Sequence, residues 1–160
     1  MKKLLLVWVF LPLFAVTACG NDSPELENLD TEQNENQGNN MESNKIKLMA
    51  GNTTFTATLV DNSSTKALKE LLAKGDISIN MWDYANMEKV GSLGTSLPRN
   101  DEQITTSFGD LILYQGNQFV IYYAPNTYSL TRLGKIDNTS REELLAVLGS
   151  GDVTVTLSIN

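Results

Sequence analysis

The chain has 160 residues, with 12 lysine and arginine residues against 19 aspartate and glutamate residues, one cysteine and no histidine. A net acidic chain is repelled by phosphate backbones and anionic headgroups, so nucleic acid is excluded as a natural partner. One cysteine without histidine excludes an intrachain disulfide, a Cys/His zinc site, a Cys–His nucleophile and a Ser–His–Asp triad. No metal or cofactor is expected, and any chemistry falls to Asp, Glu, Lys, Tyr, Ser and Arg.

The chain opens with Lys2 and Lys3, followed by an uncharged apolar run from Leu4 to Val16 and then Val16-Thr17-Ala18-Cys19-Gly20. A short basic start, an apolar run too short to span a bilayer and small residues before a cysteine form a bacterial lipobox pattern. Residues 1–18 are therefore expected to be a lipoprotein signal peptide, with Cys19 the lipidated first residue of the mature chain. The alternative is an ordinary secretory leader with a stray cysteine. Cleavage would remove Lys2 and Lys3, leaving 10 basic against 19 acidic residues, a balance of −9. Membrane attachment must then come from the lipid at Cys19, each buried CH₂ contributing about 0.8 kcal/mol. The expected location is the cell envelope, outside the cytoplasm.

Residues 20–44 hold only Leu26, Leu29 and Met41 as large apolar side chains. Such a stretch cannot bury enough surface to offset its ordering entropy, so residues 19–44 are expected to form a disordered acidic tether. The acids just after Cys19 also admit a reading as a sorting signal.

Residues 45–160 are expected to form one domain. Its pattern is mostly period two. Lys45–Ala50 opens a strand, and Gly51-Asn52 turns into a second one in which Phe55, Ala57 and Leu59 share a face. Ile77, Ile79 and Met81 alternate with Ser78, Asn80 and Trp82. Leu111–Tyr114 and Phe119–Ala124 are more uniformly apolar and are joined by Gln115-Gly116-Asn117. Val153, Val155, Leu157 and Ile159 mark the last strand. Two helices are predicted. Thr65–Lys74 carries Leu68, Leu71 and Leu72, with Ser63 or Ser64 able to cap it and Gly75 to end it. Arg141–Leu148 is preceded by Thr139…Glu142 and Ser140…Glu143, both of which fit a capping box. Many strands with two short helices predict a mainly β, closed barrel with a helix over each end.

Ser107–Ile136 carries the most distinctive order of residues. Gly116–Ile121, G-N-Q-F-V-I, is similar to the G-S-Q-F-F-I strand of cyclophilins, and Leu133-Gly134-Lys135-Ile136 is similar to their F-G-K-V strand. The predicted helix at 141–148 and the strand at 152–159 follow in the expected order. The chain thus resembles the bacterial cyclophilin-like family, a divergent branch of the cyclophilin fold. The resemblance implies a closed eight-stranded cyclophilin-like β-barrel with two short capping helices. True cyclophilins isomerise X–Pro bonds, whose uncatalysed barrier is about 20 kcal/mol. The resemblance places their pocket phenylalanine on Val120 and their rim histidine on Leu130. The run that follows their catalytic arginine has no counterpart in residues 82–100. The resemblance therefore implies a non-catalytic binding or accessory module for a peptide, small molecule or partner protein. The alternative is a weak peptidyl-prolyl isomerase acting on exported proteins.

No catalytic residue is assigned. Arg132, inside a strand among Leu130, Thr131 and Leu133, is the first binding candidate, because an arginine there must be paired or exposed. The other reading is an outward-facing strand arginine. Arg99 lies in the loop Leu97-Pro98-Arg99-Asn100 and lines a groove or is simply solvated. Tyr114, Tyr122, Tyr123, Tyr128 and Trp82 are amphipathic aromatics suited to a binding surface or to a barrel wall. Trp82, Tyr114 and Tyr123 join Arg132 and Arg99 as candidate ligand contacts. Asp110 reads as turn chemistry, and Asp101-Glu102 as a solvated pair.

Overall fold

The computed structural model of the protein describes residues 44–159. The expected leader, Cys19 and the tether through Ser43 lie outside the described residues. The elements are β1 (Lys45–Ala50), β2 (Thr53–Leu59), α1 (Ser63–Leu72), β3 (Ile77–Tyr84), β4 (Glu88–Ser92), β5 (Glu102–Thr105), β6 (Asp110–Tyr114), β7 (Gln118–Tyr122), β8 (Thr127–Ile136), α2 (Arg141–Leu148) and β9 (Val153–Ile159).

Eight strands run antiparallel around a ring in the order β2-β1-β9-β3-β4-β7-β6-β8, and β8 closes the ring by pairing with β2. Closure removes the free edges that an open sheet of this size would expose. The alternation in the sequence sets the inner face. Ile46 and Leu48 of β1, Ala57 and Leu59 of β2, Ile79 and Met81 of β3, and Val155 and Leu157 of β9 all join one buried core. Fully burying each large aliphatic side chain contributes about 1.5–3 kcal/mol, so a one-residue slip in any strand would expose several of them.

The helices add leucines to the same core: Leu68 and Leu72 from α1, Leu144 and Leu148 from α2. The N-cap of α1 is Asn62 rather than Ser63 or Ser64. Its side chain accepts from Thr65 N at 2.9 Å, and Thr65 Oγ1 accepts from Asn62 N at 3.2 Å. Ser64 is used elsewhere, donating to Pro98 O at 2.5 Å. α1 ends at Leu72, before the expected Lys74, with Ala73 as its C-cap. For α2, the Ser140…Glu143 box is the one that forms.

β4 was not foreseen, and neither was β5. The latter pairs with Thr127–Leu130, the first part of β8, whereas Thr131–Ile136 pairs with β6 and β2. The two segments form a ribbon that extends the wall beyond the ring. β8 also carries a bulge: Leu111 pairs with Gly134 and Ile112 with Arg132, so Leu133 is the extra residue. The phase shift leaves Leu133 in the core while Arg132 and Lys135 share the outer face. At the closing seam a Cβ on Gly134 would lie 2.3 Å from Thr58 O, so only glycine lets β8 approach β2 there.

Candidate functional site

The wall formed by β3, β4 and β7 has different chemistry on its two sides. Register pairs Trp82 with Val90, Asp83 with Lys89 and Tyr84 with Glu88 across β3 and β4. It pairs Glu88 with Tyr122 and Val90 with Val120 across β4 and β7. Alternation along each strand sends Trp82, Tyr84, Glu88, Val90 and Tyr122 outward, and Asp83, Lys89 and Tyr123 inward.

On the outside, Val90, Ile112, Val120, Tyr122 and Leu130 form a second buried apolar cluster, separate from the barrel core, with Met87, Ile104 and Tyr114 packed against it. Above it lies a groove of about 600 Å³, lined by Trp82, Tyr84, Glu88, Val90, Tyr114, Gln115, Gln118, Tyr122, Asn126, Tyr128 and Leu130. Trp82, Tyr84 and Tyr128 are 46%, 57% and 53% exposed, so aromatic surface is held open to solvent rather than packed away. Tyr114 meets Tyr128 edge to face with ring centroids 6.3 Å apart. The β5–β8 ribbon supplies Tyr128 and Leu130, and thus one side of the groove.

The polar groups of the groove are incompletely matched. Asn126 Nδ2 donates to the Tyr122 hydroxyl at 3.1 Å, and that hydroxyl supports the Glu88 carboxylate. Burial raises the Glu88 carboxyl above its ordinary range, and the Tyr122 hydrogen bond acts against that rise. Burial, followed by the bond to Glu88, pushes the Tyr122 hydroxyl well up. Glu88 Oε2 and Gln118 Oε1 are both buried and accept no hydrogen bond among the described residues. Among the described residues no lysine or arginine lines the groove.

On the inside, Lys89 is fully buried and has two partners. Its Nζ donates to Gly151 O at 2.7 Å and lies 3.3 Å from Asp83 Oδ2. The Tyr123 hydroxyl also donates to Asp83, and Arg141 Nε donates to Tyr123 O at 2.8 Å. The Tyr123 bond, with Asn86 N and Lys89, holds Asp83 below the usual carboxylate range.

The structure separates the five residues singled out from sequence. Trp82 and Tyr114 line the groove. Tyr123 points into the barrel. Arg132 stands on the outer face but not in the groove; its Nη1 is 2.7 Å from Asp110 Oδ2. Asp110 is 2% exposed and does more than shape a turn: it accepts from Ser107 N at 2.9 Å and pairs with both Arg132 and Lys135. Arg99 pairs with Asp101 in the loop before β5. Asp101 is therefore not a merely solvated acid, since it also accepts from Thr131 Oγ1 at 2.5 Å. Glu88, Gln118 and Tyr84 were missed. The signal for Tyr84 and Glu88 is the hairpin Tyr84-Ala85-Asn86-Met87, closed by Met87 N to Tyr84 O at 3.1 Å with Ala85 and Asn86 at positive φ. Three residues, Ala85, Asn86 and Met87, separate the cross-strand pair Tyr84 and Glu88, and that register gives the two their shared outward face.

Among the described residues no helix is long and apolar enough to cross a membrane, and no group of three or more His, Cys, Asp or Glu residues converges on a point. The solution structure of the hypothetical protein AF2241 from Archaeoglobus fulgidus has a similar fold, with a TM-score of 0.58 and 10% identity, covering 77% of this chain and 99% of that one. Curated protein sequences give no match. The family model described as Cyclophilin-like family matches residues 48–158, from within β1 to within β9. By that match, and by the closed eight-stranded barrel it covers, the chain belongs to the cyclophilin-like family.

Proposed function

We propose that the protein is a lipid-anchored component of a cell envelope whose barrel presents the outer groove as a non-catalytic binding site. Its ligand would be a peptide, a small molecule or a partner protein. The observation that carries this reading is the groove's composition: open aromatic walls over an apolar floor, with no cationic donor in the lining. Isomerisation of an X–Pro bond needs a donor held against the proline amide. Val120, where the resemblance puts the pocket phenylalanine, packs beneath the groove, and Leu130, at the rim histidine's place, lines it. Arg132, held by Asp110, does not make up the loss. Anchoring rests on the sequence Val16–Cys19.

Three experiments test the reading. A peptide array probed with the full chain should reveal peptides whose binding is lost in Trp82→Ala and Tyr84→Ala, while a proline-peptide assay should show no acceleration above background at micromolar protein. Binding indifferent to both substitutions would remove the groove as the site, and turnover would replace the binding reading with the isomerase one. In cells, a fatty-acid analogue should label the wild type and leave Cys19→Ser unlabelled; equal labelling would refute the anchor.

A further inference from the structure

The two acceptors without donors sit at opposite ends of the groove. Glu88 is paired with Tyr122, and Gln118 with Ser92. Four residues of strand, about 13 Å, separate the pairs, and Val90 lies between them on the floor. An occupant that satisfies both ends must be extended, must be apolar in the middle and must bring hydrogen-bond donors.

The Glu88 end is the more specific. Its carboxylate stands between Tyr84 on one neighbouring strand and Tyr122 on the other, each directly cross-strand, with Trp82 diagonal to it. Aromatic faces attract a cation through their quadrupole, more strongly where water is excluded. A buried carboxylate oxygen lacking a donor is costly, and a charge-assisted hydrogen bond relieves that cost. Tyr122 cannot supply the missing bond alone, because Glu88 Oε2 remains unpartnered beside it. Nor do the described residues supply a cation to the groove: Lys89, adjacent in sequence, faces the other side of the wall and is engaged with Asp83 and Gly151.

Resting on the groove reading above, we infer that the groove binds an extended peptide segment through a lysine or arginine side chain, whose cationic head seats on Glu88 between Tyr84, Tyr122 and Trp82. The stem of that side chain lies on the apolar floor, as long basic side chains do on apolar surfaces. Donors further along the peptide reach Gln118. The net acidity of the chain draws such a segment in but does not select it; selection comes from the aromatic walls and the single carboxylate.

The test uses the full chain and two N-acetylated pentapeptides with a C-terminal fluorophore, Ala-Ala-Lys-Ala-Ala and its norleucine counterpart, read by fluorescence anisotropy. The lysine peptide should bind about tenfold more tightly, a difference of about 1.4 kcal/mol. Glu88→Gln should abolish that preference without lowering the melting temperature, and Asp152→Asn, an exposed acid outside the groove, should preserve it. If both peptides bind equally and Trp82→Ala weakens both, the cation inference fails while the groove remains a binding site. If Asp152→Asn erodes the preference as much as Glu88→Gln, diffuse acidity explains it and the inference fails again. If neither peptide binds, the inference fails; if binding ignores Trp82→Ala and Tyr84→Ala, the inference and the groove reading fall together.

Discussion

The dipeptides Glu88-Lys89 and Tyr122-Tyr123 place similar chemistry on opposite sides of one wall, and the two sides treat it differently. Inside, every charged group has a partner: Lys89 holds Asp83 and Gly151 O, and Tyr123 holds Asp83. Outside, Glu88 Oε2 and Gln118 Oε1 have none among the described residues, and the aromatics around them are left open. A folded domain needs the first arrangement, because a buried charge without a partner is severely destabilising. The second is costly, because Glu88 Oε2 and Gln118 Oε1 are buried without a donor. The contrast teaches that the inner cluster belongs to stability, while the outer one is the face we propose for recognition.

The largest effect should come from breaking the inner cluster. Lys89→Ala leaves Asp83 without its cation and a void in the barrel, and should cost about 3–5 kcal/mol in chemical denaturation. A loss below about 1 kcal/mol would mean that the inner pair is as dispensable as a surface pair.

Acid titration should split the two sides by sign. Asp83 has a lowered carboxyl, so its contribution is present above its unfolded value, about 4, and is lost as pH falls through the lower folded value. Glu88 has a raised carboxyl, so its contribution is present below its unfolded value, about 4.3, and is lost as pH rises through the higher folded value. In melting curves between pH 3 and 7, Asp83→Asn should flatten the acid-side fall, whereas Glu88→Gln should raise stability at neutral pH relative to wild type. The same sign for both variants would contradict the assignment of the two carboxylates to different environments.

The smallest effect on stability should come from the groove rim. Trp82 is 46% exposed, and Trp82→Ala should move the unfolding free energy by no more than about 0.5 kcal/mol while weakening peptide binding. A large stability loss would make Trp82 part of the packing and blur the division between the two sides.

The fold was largely legible before the structure. Apolar residues at every second position, as at Ile77, Ile79 and Met81, identify a strand and its buried face because side chains alternate with period two. The two leucine-bearing helices and the Ser140 cap were legible for the same local reason. The β5–β8 ribbon was not, because Glu102–Thr105 carries Ile104 as its single large apolar residue and takes its conformation from pairing with Thr127–Leu130. The site was half legible. Trp82 and Tyr114 were found as amphipathic aromatics, yet so was Tyr123, which the same reasoning cannot tell from its neighbour Tyr122.

What the sequence determined by itself is local: strand faces, turns, caps, the exclusion of cysteine and histidine chemistry, and the family through the order of Gly116–Ile121 and Leu133–Ile136. What the tertiary structure decided is which charges meet. Arg132 is an isolated cation in the sequence and one of two cationic partners of Asp110 in the fold, because a bulge at Leu133 turns Arg132 and Lys135 to the same side. Glu88 is an ordinary surface acid in the sequence and the one carboxylate of an aromatic groove in the fold, because β3 and β7 bring Tyr84 and Tyr122 to its two flanks. Such meetings depend on register between strands distant in sequence, and register is fixed by the burial of whole faces rather than by any residue that takes part in the site.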